Sequence, residues 1–252
     1  MEEAGVERVR VGPEQAGDIP ADRDEDSYDR VVPCLIPGYT SLARLGVALL
    51  AASPQAARHE AAVLVAGCGS GTELLEARAQ RPDWRLTGLD PSAAMLDLAR
   101  RRLGEDPAVA WHQGTLESLG AESCFDGALA VLVLQSLPDD GSKLTFLSAL
   151  ATGLRPGAQV VLVDLMRPER SPLQEQLRLA RLGFQRASGL NNLEAAAVSS
   201  GVTAETVTAL TQGLHPIGLS RLTALVAAAG FGDPAPVFQA LDVEGFLLQR
   251  LG

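Results

Sequence analysis

The stretch AVLVAGCGSGTELL, residues Ala62–Leu75, decides the fold of this chain. Its first part, Val63–Ala66, has the length and apolar composition of a strand buried in a parallel sheet. Thr72–Gln80 has the composition of a helix. Between them stand three glycines at alternate positions, Gly67, Gly69 and Gly71. This spacing indicates a strand-to-helix turn that allows positive φ and lets a ligand lie close to the backbone.

The same spacing excludes two common nucleotide-binding turns. A dinucleotide-binding turn carries its third glycine one position later, where Thr72 stands. A phosphate loop of the Walker type continues with Gly-Lys-Ser/Thr, which this chain lacks here. The glycine turn alone therefore does not identify the ligand.

An acidic residue at the end of the next strand narrows the range of ligands that the glycine turn could bind. Arg85–Leu89 is a short β-like run that is followed by Asp90. Ligands of open α/β sheets bind at the carboxyl ends of adjacent strands, so Asp90 is expected beside the glycine turn. A carboxylate there can accept hydrogen bonds from both hydroxyls of a ribose. The alternative is that Asp90 only starts the next helix, with Pro91 at its first position.

Together, GCGSG (residues 67–71) and LTGLDPSAAML (residues 86–96) resemble the first two motifs of class I S-adenosylmethionine (SAM)-dependent methyltransferases. The resemblance implies SAM as the cofactor. It places Gly67, Cys68 and Gly69 at the methionine part of SAM and Asp90 at the ribose, and it puts Thr115 where the family usually has an Asp that binds the adenine amino group. The full set of cofactor-binding residues that we expect is Tyr39, Gly67, Cys68, Gly69, Gly71, Asp90, Pro91, Met95, Thr115, Leu116, Val131 and Gln135.

Three further segments resemble the carboxy-SAM synthase branch of this superfamily. They are IPGY (residues 36–39), LVLQSLP (residues 132–138) and GLNNLE (residues 189–194). The chain departs from the branch as well. Val65 stands in place of the acid of the first strand, and the stretch Glu194–Ser200 lacks the arginine that binds the extra carboxylate in carboxy-SAM synthases. The resemblance therefore implies a relative of this branch with a different reaction.

The alternation of strand-like and helix-like segments predicts a Rossmann-like α/β fold with a doubly wound sheet. Two closely spaced C-terminal strands must pair as a hairpin, because a parallel crossover needs about a dozen residues or more. We expect seven strands, mostly parallel with one antiparallel strand, which is also what the resemblance implies. The later strands are predicted at Val109–His112, Asp126–Leu134, Gln159–Asp164, Val237–Ala240 and Val243–Arg250.

Other parts of the chain are expected to surround the cofactor. Residues 1–26 are polar and charged and are predicted to be a mobile N-terminal segment, ahead of a SAM-binding domain over residues 27–252. Residues 27–60 are interpreted either as a helical lid or as simple packing against the sheet. Residues 166–218 break the alternation and are predicted to be a helical insertion over the cofactor end of the sheet.

Composition limits the partners. The chain has 252 residues with 21 Lys and Arg against 31 Asp and Glu, a net charge of −10, so a nucleic-acid substrate is not expected. It contains no apolar run of membrane-spanning length.

Its three cysteines, Cys34, Cys68 and Cys124, show no disulfide or metal spacing, which fits a reducing cytoplasm and no metal site. A small-molecule substrate is expected, and a homodimer is the oligomer to test.

The reaction of methyl transfer needs few acid–base groups, and we select Tyr28, Tyr39 and His215 as candidate catalytic residues. Cys68 is either a nucleophile or an inert small residue, and inertness is favoured because no His or Lys is near it in sequence. Structural or surface roles are expected for His112, for Asp139 and Asp140 as helix caps, and for Arg100, Arg101 and Arg102 as a solvated helix face.

Three functions follow. The first is methylation of a small-molecule acceptor at oxygen or nitrogen. The second is modification of SAM itself, by intramolecular cyclisation or by carboxyl transfer. The third is a non-catalytic SAM-binding partner subunit.

Overall fold

A computed structural model describes residues 31–120, 124–168, 172–190 and 212–252. Its centre is a seven-stranded sheet with the strand order β3-β2-β1-β4-β5-β7-β6. Among the strands of the described residues, β7 is the reversed one, pairing antiparallel with both β5 and β6, while the other pairs are parallel. The predicted fold class, with one reversed strand in a mostly parallel sheet, is confirmed. The strands are β1 Ala62–Ala66, β2 Arg85–Asp90, β3 Val109–Gln113, β4 Phe125–Val131, β5 Leu154–Leu165, β6 Ala235–Ala240 and β7 Val243–Gln249.

Helices cover both faces of the sheet. They are α1 Tyr39–Ala51, α2 Thr72–Gln80, α3 Ala93–Leu103, α4 Leu116–Leu119, α5 Ser142–Gly153, α6 Gln174–Gln185 and α7 Leu219–Ala228. Residues 31–35 are also helical, Leu134–Ser136 forms a 3₁₀ turn, and Arg186–Leu190 forms a π-helical turn after α6.

Alternate residues of β1 belong to two different hydrophobic clusters. Val63 and Val65 pack with side chains of α1 and α2, whereas Leu64 and Ala66 pack with α5 and α7. A strand that is covered on both faces has an unbroken apolar sequence. This is why the apolar run before the glycine turn predicts a central strand.

Helix α1 packs directly on the sheet. A Cβ atom at Gly46 would lie 3.5 Å from Leu129 of β4 and 3.7 Å from Val161 of β5, so the glycine permits a close approach of the helix. The first residue of α1, Tyr39, reaches the carboxyl edge of the sheet. The N-terminal helical region therefore packs on the sheet and also borders the ligand edge.

Two predicted strand boundaries were wrong by three residues or more, and the others lie within about two residues of the observed ones. Strand β4 ends at Val131 rather than Leu134, because Leu132 adopts a φ of 58° and turns the chain into the 3₁₀ segment. Strand β5 begins at Leu154 rather than Gln159, because Leu154 pairs with Phe125 before a shift in register. Residues 155–157 are thus an irregularity within the strand.

Some predicted regions lie outside the described residues. They include the N-terminal segment 1–26 and residues 191–211 of the predicted insertion. Within the insertion, α6 has no buried side chain among the residues described. Its Arg181 pairs with Asp242, between β6 and β7. No helix in the described part of the chain is long and apolar enough to cross a membrane.

Candidate functional site

The glycine turn between β1 and α2 is hydrogen-bonded to the end of β2. The backbone N–H groups of Gly67 and Cys68 both donate to the carbonyl oxygen of Leu89, at 2.8 and 2.9 Å, and the N–H of Gly71 donates to the carbonyl of Cys68 at 2.8 Å. Gly67, Gly69 and Gly71 have φ values of 68°, 49° and 87°, a region that favours glycine. The turn is therefore compact, and these N–H groups are used inside the protein.

Asp90 completes this arrangement from the end of β2. Its Oδ2 atom accepts a hydrogen bond from the N–H of Gly69 at 2.9 Å, and its Oδ1 atom accepts one from the N–H of Ser92 at 2.9 Å. The residue is only 8% exposed, and burial raises the pKa of its carboxyl group while the two N–H bonds oppose that rise. A carboxylate offers about four lone-pair positions, so each oxygen can accept one further hydrogen bond.

The alternative role of Asp90, as the simple start of the next helix, does not match the geometry. The N-cap of α3 is Ser92, whose Oγ atom accepts from the N–H of Met95 at 3.3 Å. Pro91 precedes that cap and is therefore not the first helical residue that this alternative requires. Because Ser92 supplies the cap, one oxygen of Asp90 is directed to the glycine turn.

Two glycines of the turn differ in the space beside them. A Cβ atom at Gly67 would come within 2.5 Å of Val133, so the site requires glycine on steric grounds. A Cβ atom at Gly69 would meet nothing within 4 Å, so open space lies beside this residue, whose N–H is bonded to Asp90. The cleft beside the turn is lined by Tyr39, Gly67, Cys68, Gly69, Ser70, Thr72, Glu73, Val131 and Leu132.

The donor set of this cleft suits a cationic nucleoside better than a phosphate. The N–H groups of Gly67, Cys68, Gly69 and Gly71 are all engaged within the protein, and phosphate sites need such groups free. Buried Glu73 lines the cleft, and buried Asp90 is hydrogen-bonded to Gly69 of the cleft wall. Two acids at these places favour a positively charged ligand. SAM carries a sulfonium and an amino group and no phosphate, so the residues present fit it.

Cys68 lies in the turn but is not activated. The residue is 2% exposed, and burial together with the negative charges of Asp90 and Glu73 raises the pKa of its thiol. The nucleophilic form of cysteine is the thiolate, which this environment disfavours. The structure thus favours the interpretation of Cys68 as an inert small residue.

The end of β3 lies next to Asp90. The N–H of Gly114 donates to the carbonyl oxygen of Asp90 at 3.0 Å, which places the exposed Thr115 at the same edge of the sheet. Leu116 is buried in the core. His112 is within 3.1 Å of the Ser118 hydroxyl, which donates to the carbonyl of Thr115 at 2.7 Å. His112 therefore supports this turn, in agreement with the structural role predicted for it.

Gln135 and His215 lie in a second, smaller cleft. The N–H of His215 donates to the carbonyl of Gln135 at 2.6 Å, and the N–H of Gln135 donates to Oδ1 of Asp164 at 3.1 Å. The structure therefore brings Tyr39, the glycine turn and Val131 together in the first cleft, and Gln135 with His215 in the second. Tyr28 lies outside the described residues.

Asp164 is a functional candidate that the sequence analysis missed. It is 2% exposed, and burial raises the pKa of its carboxyl group to about 7. Three hydrogen bonds from backbone N–H groups and the positive charge of Lys143 lower this pKa, but burial has the larger effect. Among the described residues its Oδ2 atom and the Oε1 atom of Gln135 have no hydrogen-bond partner. Its sequence signal was available, because Asp164, like Asp90, is an acid at the end of a buried strand.

Two surface predictions also need revision. Arg102 does not point only into solvent, because its Nη1 atom donates to the carbonyl and hydroxyl oxygens of Ser70. Asp140 accepts hydrogen bonds from the N–H and the hydroxyl of Ser142, the first residue of α5, but the N-cap of that helix is Gly141 rather than Asp140. Asp139 instead pairs with Arg221 of α7.

The chain is similar to known methyltransferases and to carboxy-SAM synthases. Residues 63–158 match the family model described as a methyltransferase domain. Carboxy-S-adenosyl-L-methionine synthase of Pseudomonas putida is 29% identical over 230 residues, which cover 86% of this chain and 88% of that protein. Trans-aconitate 2-methyltransferase of Methylobacterium nodulans is 44% identical over 109 residues, which cover 43% of this chain and only 39% of that protein.

A solved structure shares the fold. Human N-acetylserotonin methyltransferase, crystallised in complex with SAM, superposes with a TM-score of 0.57 at 14% identity, over 90% of this chain and 57% of that one. One family is indicated by the sequence of the glycine turn, by the acid at the end of β2, by the strand order and by these comparisons. Residues 63–158 match a methyltransferase domain, and the comparisons support the class I SAM-dependent methyltransferase superfamily, near its carboxy-SAM synthase branch, with SAM as the cosubstrate.

Proposed function

We propose that this chain transfers the methyl group of SAM to an oxygen or nitrogen atom of a small molecule. The observation that carries the proposal is the hydrogen bond from the N–H of Gly69 to the buried carboxylate of Asp90, beside open space. That bond joins the turn that would border the methionine part of SAM to the acid that would bind its ribose.

Each part of the first cleft then has a role. Asp90 accepts the two ribose hydroxyls on the lone pairs that its backbone bonds leave over. The backbone of Gly67, Cys68 and Gly69 borders the methionine part. The adenine would extend toward Pro91, Met95, Thr115 and Leu116, and Val131 would lie beneath the cofactor. Gln135, which the sequence also predicts there, lies in the second cleft instead.

SAM supplies a methyl group that is already activated by its positive sulfur. The protein therefore has to align the acceptor atom with the methyl carbon and keep water out. Tyr39 stands at the start of α1 on the wall of the first cleft, where it can orient either substrate. His215 lies in the neighbouring cleft, where it can take the proton that the acceptor loses; Tyr28 stays a catalytic candidate by sequence alone.

Analysis of the products of SAM by mass spectrometry tests this function. Purified protein with SAM alone should form little S-adenosylhomocysteine, because displacement at the methyl carbon needs an external nucleophile. Addition of a small-molecule fraction of cell extract should release S-adenosylhomocysteine together with a product that is heavier by one methylene unit. Formation of methylthioadenosine from SAM alone, without S-adenosylhomocysteine, would contradict methyl transfer.

The second function, modification of SAM itself, is favoured by one observation. The similarity to carboxy-SAM synthase extends over 86% of the chain, far more than the 43% for trans-aconitate 2-methyltransferase. A cyclising enzyme would release methylthioadenosine without a second substrate. A carboxyl-transfer enzyme would need a carboxyl donor and would give a heavier derivative of SAM. The absence of arginine from Glu194–Ser200 ranks carboxyl transfer below methyl transfer.

A non-catalytic SAM-binding subunit is the third alternative. It would bind SAM and give none of these products with any extract. Four further statements stay predictions from the sequence. They are the small-molecule acceptor, the absence of a nucleic-acid substrate, the homodimer and the cytoplasmic location.

A further inference from the structure

Arg102 contacts the glycine turn from the last turn of helix α3. Its Nη1 atom donates to the carbonyl oxygen of Ser70 at 2.9 Å and to the hydroxyl oxygen of Ser70 at 2.8 Å. Ser70 is the residue between Gly69 and Gly71 and is 3% exposed. Much of the arginine side chain is exposed, but its charged end is directed back to a buried residue of the turn.

The same helix packs against the turn at a second point. A Cβ atom at Gly71 would lie 3.0 Å from the Cβ of Ala99 and 3.1 Å from Leu103, so the backbone of the turn approaches α3 closely. Because Ala99, Arg102 and Leu103 lie on one face of α3, the helix presents an apolar contact and a charged donor together.

The turn is thus held from two sides. On one side, Leu89 and Asp90 of β2 accept its N–H groups. On the other side, Arg102 donates to the carbonyl and the hydroxyl of Ser70. The two attachments are complementary, since β2 engages the donors of the turn and α3 engages its acceptors.

We propose that Arg102 is a positioning residue of the cosubstrate site, which holds Ser70 so that the N–H of Gly69 stays on the Asp90 carboxylate. The inference rests on the proposed function, because it assumes that SAM lies along this turn. Hydrogen bonds from a charged donor are stronger than neutral ones, and here one guanidinium nitrogen bridges two oxygens of the same residue. Without that bridge, ligand binding has to order the turn as well as fill the cleft, and affinity falls.

Calorimetric titration with S-adenosylhomocysteine tests the inference in the wild type, Arg102→Ala, Arg102→Lys and Arg101→Ala. Arg101→Ala removes the same charge from the neighbouring position of α3. We expect the dissociation constant to rise about tenfold in Arg102→Ala. It should rise by a smaller factor in Arg102→Lys, whose ammonium keeps the charge but lacks the planar fork. Arg101→Ala should bind like the wild type, and the melting temperatures of all four proteins should lie close together.

The outcomes separate this inference from the proposed function. A wild-type protein that does not bind S-adenosylhomocysteine would contradict the proposed function itself. A wild type that binds, with unchanged affinity in folded Arg102→Ala, would overturn the positioning role. Equal weakening in Arg101→Ala would also overturn it, because the effect would then be one of general charge. If Arg102→Ala does not fold, Arg102→Lys decides, and wild-type affinity in that variant overturns the inference.

Amide resonances of the labelled protein give a second readout, which a merely stabilising role would not move. In Arg102→Ala without ligand, the Gly69 and Ser70 resonances should shift or broaden, and saturation with S-adenosylhomocysteine should restore their sharpness. Unchanged resonances of both residues would contradict the proposed positioning role.

Discussion

The backbone N–H of Gly69 donates a hydrogen bond of 2.9 Å to the carboxylate of Asp90. Asp90 is the last residue of β2, and Gly69 lies in the turn that follows β1, the parallel strand next to β2. The acid that is proposed to bind the ribose is therefore also part of the structure of the glycine turn. A change at either residue is expected to alter both the shape of the turn and the affinity for a nucleoside.

Gly67 and Gly69 form a matched pair in which the same substitution has different effects. Gly67→Ala places a methyl group 2.5 Å from Val133 at a φ of 68°, and we expect it to lower the free energy of unfolding by about 2–4 kcal/mol. Gly69→Ala meets no atom within 4 Å and should cost only about 1 kcal/mol of stability, from its positive φ.

The ligand affinities should follow a different order from the stabilities. Gly69→Ala extends a methyl group into the open space beside the glycine turn, so it should weaken binding of S-adenosylhomocysteine by at least about tenfold while the protein stays folded. Urea denaturation and calorimetry measure the two effects. Equal binding by Gly69→Ala and the wild type would place the ligand elsewhere.

Cys68 is expected to be chemically unreactive. Its buried thiol has a raised pKa, so little thiolate is present near neutral pH. Alkylation by iodoacetamide, followed peptide by peptide, should modify the less buried Cys34 well before Cys68. A Cys68→Ala variant should keep the turnover of the wild type. Rapid alkylation of Cys68, or loss of turnover in the folded variant, would support the nucleophile interpretation instead.

Asp164 should make the stability of the fold depend on pH. Burial raises the pKa of its carboxyl group from the ordinary 3.8 to about 7, so the folded state binds a proton that the unfolded state releases between these values. Stability should therefore fall as pH rises through this range, by up to about 1.4 kcal/mol per pH unit, and level off above it.

The variant Asp164→Asn provides the comparison, because its amide does not titrate. Urea denaturation at several pH values between about 5 and 8 should give a wild-type curve that declines relative to that of the variant. Lys143 and His215 lie in the same cleft in both proteins, so the difference between the two curves reports on Asp164. Parallel curves would mean that Asp164 ionises at its ordinary pKa.

The sequence predicts the sheet well because its signals are local. The apolar run Val63–Ala66, the alternate glycines and the acid at Asp90 each follow from backbone geometry or from the burial of a strand on both faces. The reversal of β7 follows from the short link to β6, which allows only a hairpin. The positions of the turn and of Asp90 at one edge follow in turn from the parallel pairing.

Long-range contacts were not predictable in the same way. Arg102 and Ser70 are 32 residues apart, and nothing in the run of three arginines distinguishes the one that turns back to the glycine turn. The end of β4 was placed too late because Leu132 is apolar like the strand, although it adopts a positive φ. Gln135 and His215 are joined by a backbone bond across 80 residues, which side-chain chemistry does not reveal.

Titration of S-adenosylhomocysteine into the wild type, Asp90→Ala and Asp97→Ala is the most direct test of the proposed cosubstrate site. Asp97→Ala removes an exposed acid from α3 and controls for charge. Two ribose hydroxyls bound to one carboxylate contribute roughly 1.5–3 kcal/mol each, so Asp90→Ala should weaken binding by about 100-fold or more, while Asp97→Ala binds like the wild type. Wild-type affinity in a folded Asp90→Ala protein would contradict the assignment of the ribose to Asp90 and, with it, the site at the glycine turn.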